Sequence, residues 1–113
     1  MGNSASIDLQ HLDKYVAGDR ALRDEILGIF EEQADLWIRM LDPRGDDGAW
    51  KDAAHALKGA ARGVGAWTIG DICADAENLI GDNRSLSARL ETLSDLKKAV
   101  AETVNEVRRL RAL

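Results

Sequence analysis

His55 is one of two histidines in the 113-residue chain. Its neighbours at helical spacing are Lys51 four residues before, Lys58 three after, Gly59 four after and Arg62 seven after. In a helix these positions share one surface strip. The apolar positions Trp50, Ala53, Ala54, Leu57, Ala61 and Val64 centre near Leu57 on a helical wheel, and His55 falls about 160° away from that centre. The spacing therefore predicts an exposed imidazole inside a cationic patch. Neutral imidazole offers a nucleophilic lone pair, and clustered Lys and Arg neutralise a doubly charged phosphoryl group, so phosphoryl chemistry is what these residue types would serve.

Gly59 lies in the interior of the same helical pattern, where glycine costs about 1 kcal/mol relative to the alanines that follow it. Two readings stand: it leaves the space over the imidazole open to a partner's surface, or it marks drift and fraying ahead of Gly63. Glu77 belongs to the next helical segment. A hairpin turn centred near Ala66 puts residues 55 and 77 at equal height, and Glu77 flanks the apolar stripe of its helix at about 80°. Its carboxylate either accepts from Nδ1–H of His55, leaving Nε2 as the exposed nucleophile, or is an ordinary rim carboxylate.

The remaining reactive side chains carry less. His11 has only Asp8 and Asp13 nearby and reads as a solvated surface histidine. Cys73 lies in a core stripe and reads as a small buried hydrophobe. Asp46 and Asp47 belong to a solvated loop without metal-ligand spacing, and no metal site is expected. Trp37 and Trp50 fall on core stripes, whereas Trp67 sits at a turn and is expected to be partly exposed. Catalytic triads, paired glycosidase-type carboxylates and phosphate-cradling glycine loops are all missing.

The elements that hold these residues are punctuated by Gly18-Asp19, by the stretch from Asp42 to Gly48, by Gly63 to Gly65 and by Gly81-Asp82-Asn83. Five helices are predicted. A short one spans residues 7–17, and Asp19 caps the second, which runs to about Leu41 with Leu22, Ile26, Ile29, Phe30, Gln33, Leu36, Trp37, Met40 and Leu41 as its core stripe. The third spans 49–62. The fourth spans 68–80, with Thr68 and Asp71 as a capping pair and Ile69, Ile72, Cys73, Ala76, Leu79 and Ile80 facing inward. The fifth spans 85–111 and turns Leu86, Leu90, Leu93, Leu96, Val100, Val104, Val107 and Leu110 to the core. Short connections favour antiparallel neighbours, so the expected all-α fold is an up-down-up-down four-helix bundle with a short extra N-terminal helix over one end. Residues 7–113 are expected to form one domain after a flexible tail, 1–6, whose Met1-Gly2-Asn3-Ser4-Ala5-Ser6 fits a loose N-myristoylation pattern but reads as plain tail.

Composition narrows the classes further. A chain of this length is too short for a nucleotide-binding kinase or a doubly wound dinucleotide fold. Twenty acidic against 15 basic residues give a net charge of −5, which disfavours nucleic acid and anionic membranes as partners. A single cysteine excludes an internal disulfide and suits a reducing, cytoplasmic compartment. No apolar run approaches the ~20 residues of a membrane span.

His55-Ala56-Leu57-Lys58-Gly59, followed by Gly65-Ala66, Ile69, Cys73 and Ala76-Glu77, resembles the histidine-containing phosphotransfer (HPt) domain of bacterial-type phosphorelays. Ile7-Asp8, Gly18-Asp19, Phe30 and Trp50 also occur where such domains place helix-start and core signals, so the resemblance covers nearly the whole chain. It implies that His55 Nε2 takes a phosphoryl group from the aspartyl phosphate of a response-regulator receiver domain and passes it to another receiver. Lys58 would stabilise the phosphoryl charge, Gly59 would give access, and Lys51, Arg62 and Glu77 would bind or orient. The implied protein is a carrier without an ATP site or cofactor of its own, acting as a monomer. Its implied partners are receivers, which bring Mg²⁺, and a hybrid histidine kinase. Two departures stand out: Ala60 and Ala61 where many members carry Ser after the Gly, and Glu77 where some carry Gln. The competing readings are a non-catalytic helical adaptor and a metal site on His55 and Glu77, which lacks third and fourth ligands.

Overall fold

A computed structural model describes residues 6–113, and Met1–Ala5, with most of the expected tail and its lipidation pattern, lie outside the described residues. The helices are α1 (Leu9–Val16), α2 (Arg20–Met40), α3 (Asp47–Gly63), α4 (Trp67–Glu77) and α5 (Leu86–Arg111), with a 3-10 turn at Gly81–Asn83 and no strand among the described residues. α2 packs on α3, α3 on α4, α4 on α5 and α5 on α2, closing the antiparallel four-helix bundle. α1 packs against α2.

Local chemistry starts most of these helices. Asp8, Asp19, Asp46 and Ser85 each accept from the backbone N–H three residues on, at the starts of α1, α2, α3 and α5. α4 is the exception. It starts at Trp67 after Ala66 without a side-chain cap, so Thr68 and Asp71 are not a capping pair; Thr68 already lies inside the first turn. The α3–α4 turn is instead held by the N-terminal segment: Asp8 N–H donates to Gly65 O at 3.0 Å, and Trp67 Nε1–H donates to Asp8 Oδ2 at 3.0 Å. Gly65 has φ +78°, and a Cβ there would lie 2.9 Å from Asp8. Glycine is required at that point by both conformation and space.

The core is one cluster in which α3 supplies Trp50, Ala53, Ala54, Leu57 and Ala61, and α4 supplies Ile69, Cys73 and Ala76. Small residues on the facing sides of α3 and α4 let the two helices approach closely. Trp50 then reaches across to donate from Nε1 to Ala76 O at 2.7 Å. α2 adds Leu27, Phe30 and Ala34, and α5 adds Leu93, Leu96, Val100, Val107 and Leu110.

Several expectations are corrected here. Of the α2 stripe, Leu22, Ile29, Leu36 and Met40 are exposed and Ile26 and Trp37 only half-buried. The apolar arc is wider than the face α2 turns to the bundle, and the arc from Leu22 to Met40 looks outward. Leu86 and Leu90 are likewise exposed, because Arg89 takes the inward position at that level. α4 ends at Glu77 instead of residue 80, where Asn78 and Leu79 donate three residues back, to Asp75 and Ala76, and tighten the chain toward Gly81. The tail is tied from Ser6, whose N–H donates to Glu106 Oε1 at 3.0 Å, with Ile7 N–H on Oε2 at 3.1 Å.

Two buried ionic groups tie opposite ends of the bundle. Glu106 on α5 holds the entering chain, as above. Arg89 is fully buried and donates to Leu79 O, Pro43 O, Gly45 O and Asp47 Oδ1, with its guanidinium 4.8 Å from the centre of the Trp50 ring. All three nitrogens of that planar fork donate.

Candidate functional site

Midway along α3, His55 points outward, its side chain 70% exposed. Glu77 stands across the α3–α4 groove at the same height. Nδ1–H of His55 donates to Glu77 Oε2 at 3.1 Å, as the hairpin symmetry about Ala66 predicts. The bond places the donor hydrogen on Nδ1, so the neutral ring presents its Nε2 lone pair to solvent. The other oxygen, Oε1, forms an ion pair with Lys58 Nζ. The side chains of Glu77 and Lys58 are only 13% and 19% exposed. Desolvation alone raises the Glu77 pKa, but hydrogen bonds from Lys58 and His55 and the Lys58 charge together hold the carboxyl below its usual value. It is an anion at neutral pH.

The structure sorts the other expected site residues. Lys58 turns to Glu77 and does not stand free on the His55 strip. Gly59 is exposed, and a Cβ added to it would meet nothing within 4 Å, so no packing among the described residues demands a glycine there. Lys51 is exposed, and neither it nor Arg62 forms an ion pair among the described residues. Arg62 lies against α4, where a Cβ on Gly70 would come within 3.1 Å of its Cγ. Gly70 is the residue the sequence reading passed over. Its signal was a glycine inside α4, seven residues before Glu77 and on the same face.

Other reactive groups fall away. Cys73 is buried one turn before Glu77, and burial, reinforced by the Glu77 charge, pushes its thiol up to about 12. His11 is not the solvated histidine expected: its ring is half-buried, edge-on to Tyr15 at 5.1 Å and to Trp67 at 4.7 Å between centroids. Trp67 is 42% exposed, in line with its place at the turn. Among the described residues no group of three His, Cys, Asp or Glu side chains could hold a metal ion.

An exposed histidine on the middle of a bundle helix, oriented by a carboxylate and followed by lysine and an open glycine, matches a known family. The Hpt domain family matches residues 20–109. The chain belongs to the Hpt family. The Hpt assignment accords with a solved structure. The crystal structure of the histidine phosphotransferase ShpA from Caulobacter crescentus is 40% identical, with a TM-score of 0.61, over 93% of this chain and 97% of that one. The comparison with curated proteins returns no match. As an Hpt domain the protein is a histidine carrier of phosphorelays, and Hpt domains work with receiver domains and kinases. They carry the phosphoryl group and are not themselves catalysts. No described helix is long and apolar enough to cross a membrane.

Proposed function

We propose that His55 is the phosphoacceptor of this Hpt domain, taking a phosphoryl group from the aspartyl phosphate of one receiver and passing it to the aspartate of another. The observation that carries this reading is the ring's asymmetry: Nδ1 is occupied by Glu77, and Nε2 is left open on a 70% exposed side chain. In the forward step the Nε2 lone pair attacks phosphorus in line, the Nε2–P bond forms as the acyl P–O bond breaks, and the aspartate leaves with the bond pair. The bundle contributes rigidity, since α3 is anchored by five buried side chains on the face opposite His55.

Each neighbour has a part. Gly59 leaves room for the receiver's surface, and Lys51, Lys58 and Arg62 lower the cost of bringing in a dianion. Mg²⁺ and the acidic pocket belong to the receiver. Leu22, Ile29, Leu36 and Met40 on α2 supply an apolar face for docking, and the positive strip beside it complements an acidic receiver pocket and speeds encounter. The domain works in the cytoplasm as a monomer.

The test is intact mass after incubation with phosphoramidate or a phosphorylated receiver, comparing wild type with His55→Ala. One acid-labile phosphoryl group on wild type and none on the variant is the expected result. No adduct on wild type with either donor, the helical signal being intact, overturns the carrier reading in favour of an adaptor that binds receivers without reacting.

A further inference from the structure

The carboxylate of Glu77 touches the ring nitrogen that phosphoryl transfer does not use. When Nε2 attacks an acyl phosphate, the N–P bond forms and the aspartate departs, so the ring becomes an imidazolium that still carries its Nδ1 proton. In the reverse step a receiver carboxylate oxygen attacks phosphorus, the N–P bond pair returns to Nε2, and the ring is neutral again with the same proton in place. Should that proton be lost between the two steps, the group leaving phosphorus would be an imidazolate anion. The carrier would then be loaded but unable to discharge. Whether Nδ1 keeps its proton is therefore a property on which the cycle depends.

Resting on the carrier reading above, we propose that Glu77 retains the Nδ1 proton of phosphorylated His55 and so holds the loaded carrier in its transferable form through neutral and mildly alkaline pH. A carboxylate does this and an amide does not. Both accept from Nδ1–H and orient the ring, but only the anion stabilises the charged ring over the neutral one. Glu77 is the only acidic side chain bonded to His55 among the described residues, at 3.1 Å, and its own side chain is only 13% exposed although the ring it holds is 70% exposed.

The other charged groups around the ring come from two helices. α3 presents Lys51, Asp52, Lys58 and Arg62 near His55, and the three cations oppose a positive ring. α4 presents Glu77 and, one turn before it, the buried Cys73, whose thiol stays neutral. α2 adds no hydrogen bond or ion pair to His55 or Glu77: Arg23 pairs with Asp24, Arg39 with Asp35, and Glu31 with Arg108 of α5. Lys58 shares the Glu77 carboxylate through Oε1, so each offsets part of the other's charge, and a phosphoryl dianion on Nε2 adds a second negative group beside the ring. The direct bond from Nδ1 decides the balance, because Coulomb energy falls with distance and Glu77 is the charged group in hydrogen-bond contact with the ring.

Glu77 is thus a positioning residue whose charge, beyond its geometry, sets how the loaded carrier behaves with pH. An Nδ1 that titrated like ordinary imidazole, near ~6.5, would be protonated in only about 3% of molecules at pH 8. The experiment loads wild type and Glu77→Gln with phosphoramidate and follows loss of the adduct by intact mass from pH 6 to 9. Wild type is expected to discharge at a nearly constant rate to pH 8. The glutamine variant should slow progressively above about pH 6.5 and lag wild type roughly tenfold or more at pH 8. Superimposable profiles overturn the proposal while leaving the carrier reading intact, and no adduct on wild type overturns both. A folded Glu77→Gln that no longer takes up phosphate also overturns it, by assigning the Glu77 charge to the loading step and not to retention of the proton afterwards. A second measurement needs no variant: the ¹⁵N shift of Nδ1 in the phosphorylated wild-type ring should stay in the protonated range through pH 8, and a titration between pH 6 and 7 overturns the proposal.

Discussion

Gly59 stands one helical turn beyond His55 on the same exposed face of α3, and a Cβ added to it would meet no atom within 4 Å. Helix interiors disfavour glycine, so replacing it should stabilise the bundle. Gly59→Gln is expected to gain roughly 0.5 kcal/mol in denaturant unfolding. The same side chain would stand in the approach to Nε2. Transfer from a phosphorylated receiver should fall by about a hundredfold, the cost of roughly an ångström of misplacement. Loading by the small donor phosphoramidate should change little. Unimpaired transfer from the receiver would end the access argument.

The apolar arc of α2 offers a separate check on docking. Ile29 and Leu36 are about half exposed, so a charged side chain at either costs the fold little. Ile29→Glu and Leu36→Glu should leave stability within about 0.5 kcal/mol of wild type. Receiver-dependent transfer should drop roughly tenfold or more, while phosphoramidate loading stays normal. A matching loss in both reactions would place the defect in His55 chemistry and not in docking.

Arg89 is the charged residue on which the end of the bundle distal to α1 depends. Removing it strands three carbonyls, of Pro43, Gly45 and Leu79, and leaves Asp47 with Arg84 and the Gly81 N–H. Arg89→Met is expected to cost about 3–5 kcal/mol, because three part-buried carbonyls lose their donors at roughly 1–3 kcal/mol each. Arg89→Lys should not restore it, because an ammonium cannot supply the planar fork. Both should show in thermal unfolding, and at temperatures where the variants stay folded His55 should load as in wild type.

Acid should weaken the fold through three carboxylates. The Trp67 indole and the His11 amide lower the Asp8 pKa. The Gly81 amide, Arg84 and Arg89 lower that of Asp47, and Lys58 and His55 lower that of Glu77 against its burial. A carboxylate with a depressed folded-state pKa binds fewer protons folded than unfolded, so its contribution is complete above the ordinary carboxylate range near ~4 and is lost as pH falls through the folded value. Urea midpoints should therefore be flat from pH 7 to about 5 and decline below about 4. A midpoint that rose on acidification would contradict these pairings.

Cys73 should be inert in the native state. With its thiol pushed up to about 12 and its side chain in the core, a thiol reagent at pH 8 should label it only on unfolding. The labelling rate should track global stability across the variants above. The raised value also makes stability decline as pH climbs above about 9, since the unfolded thiol ionises there and the buried one does not.

The chain's own order determined a great deal. A period of 3.6 set which residues of α3 turn outward, and with it the strip of Lys51, His55, Gly59 and Arg62. Asp19 announced where α2 starts, and the position of the hairpin turn put Glu77 level with His55, whereas Asp46 and Asp47, read as solvated loop, in fact cap and open α3. These are short-range properties: backbone geometry carries a side chain's direction over a few residues, and a tight turn carries height from one helix to the next. Direction, however, does not name a partner. Lys58 left its strip for Glu77, and Arg89 took a core position among Leu86, Leu90 and Leu93 because backbone carbonyls 10 to 46 residues away satisfied its donors. His11 found cover against Trp67, and the outer arc of α2 stayed exposed because each bundle helix has neighbours on only part of its circumference. Which apolar arc is buried, and which charge meets which, depends on interhelical distances that exist only once all four helices have packed.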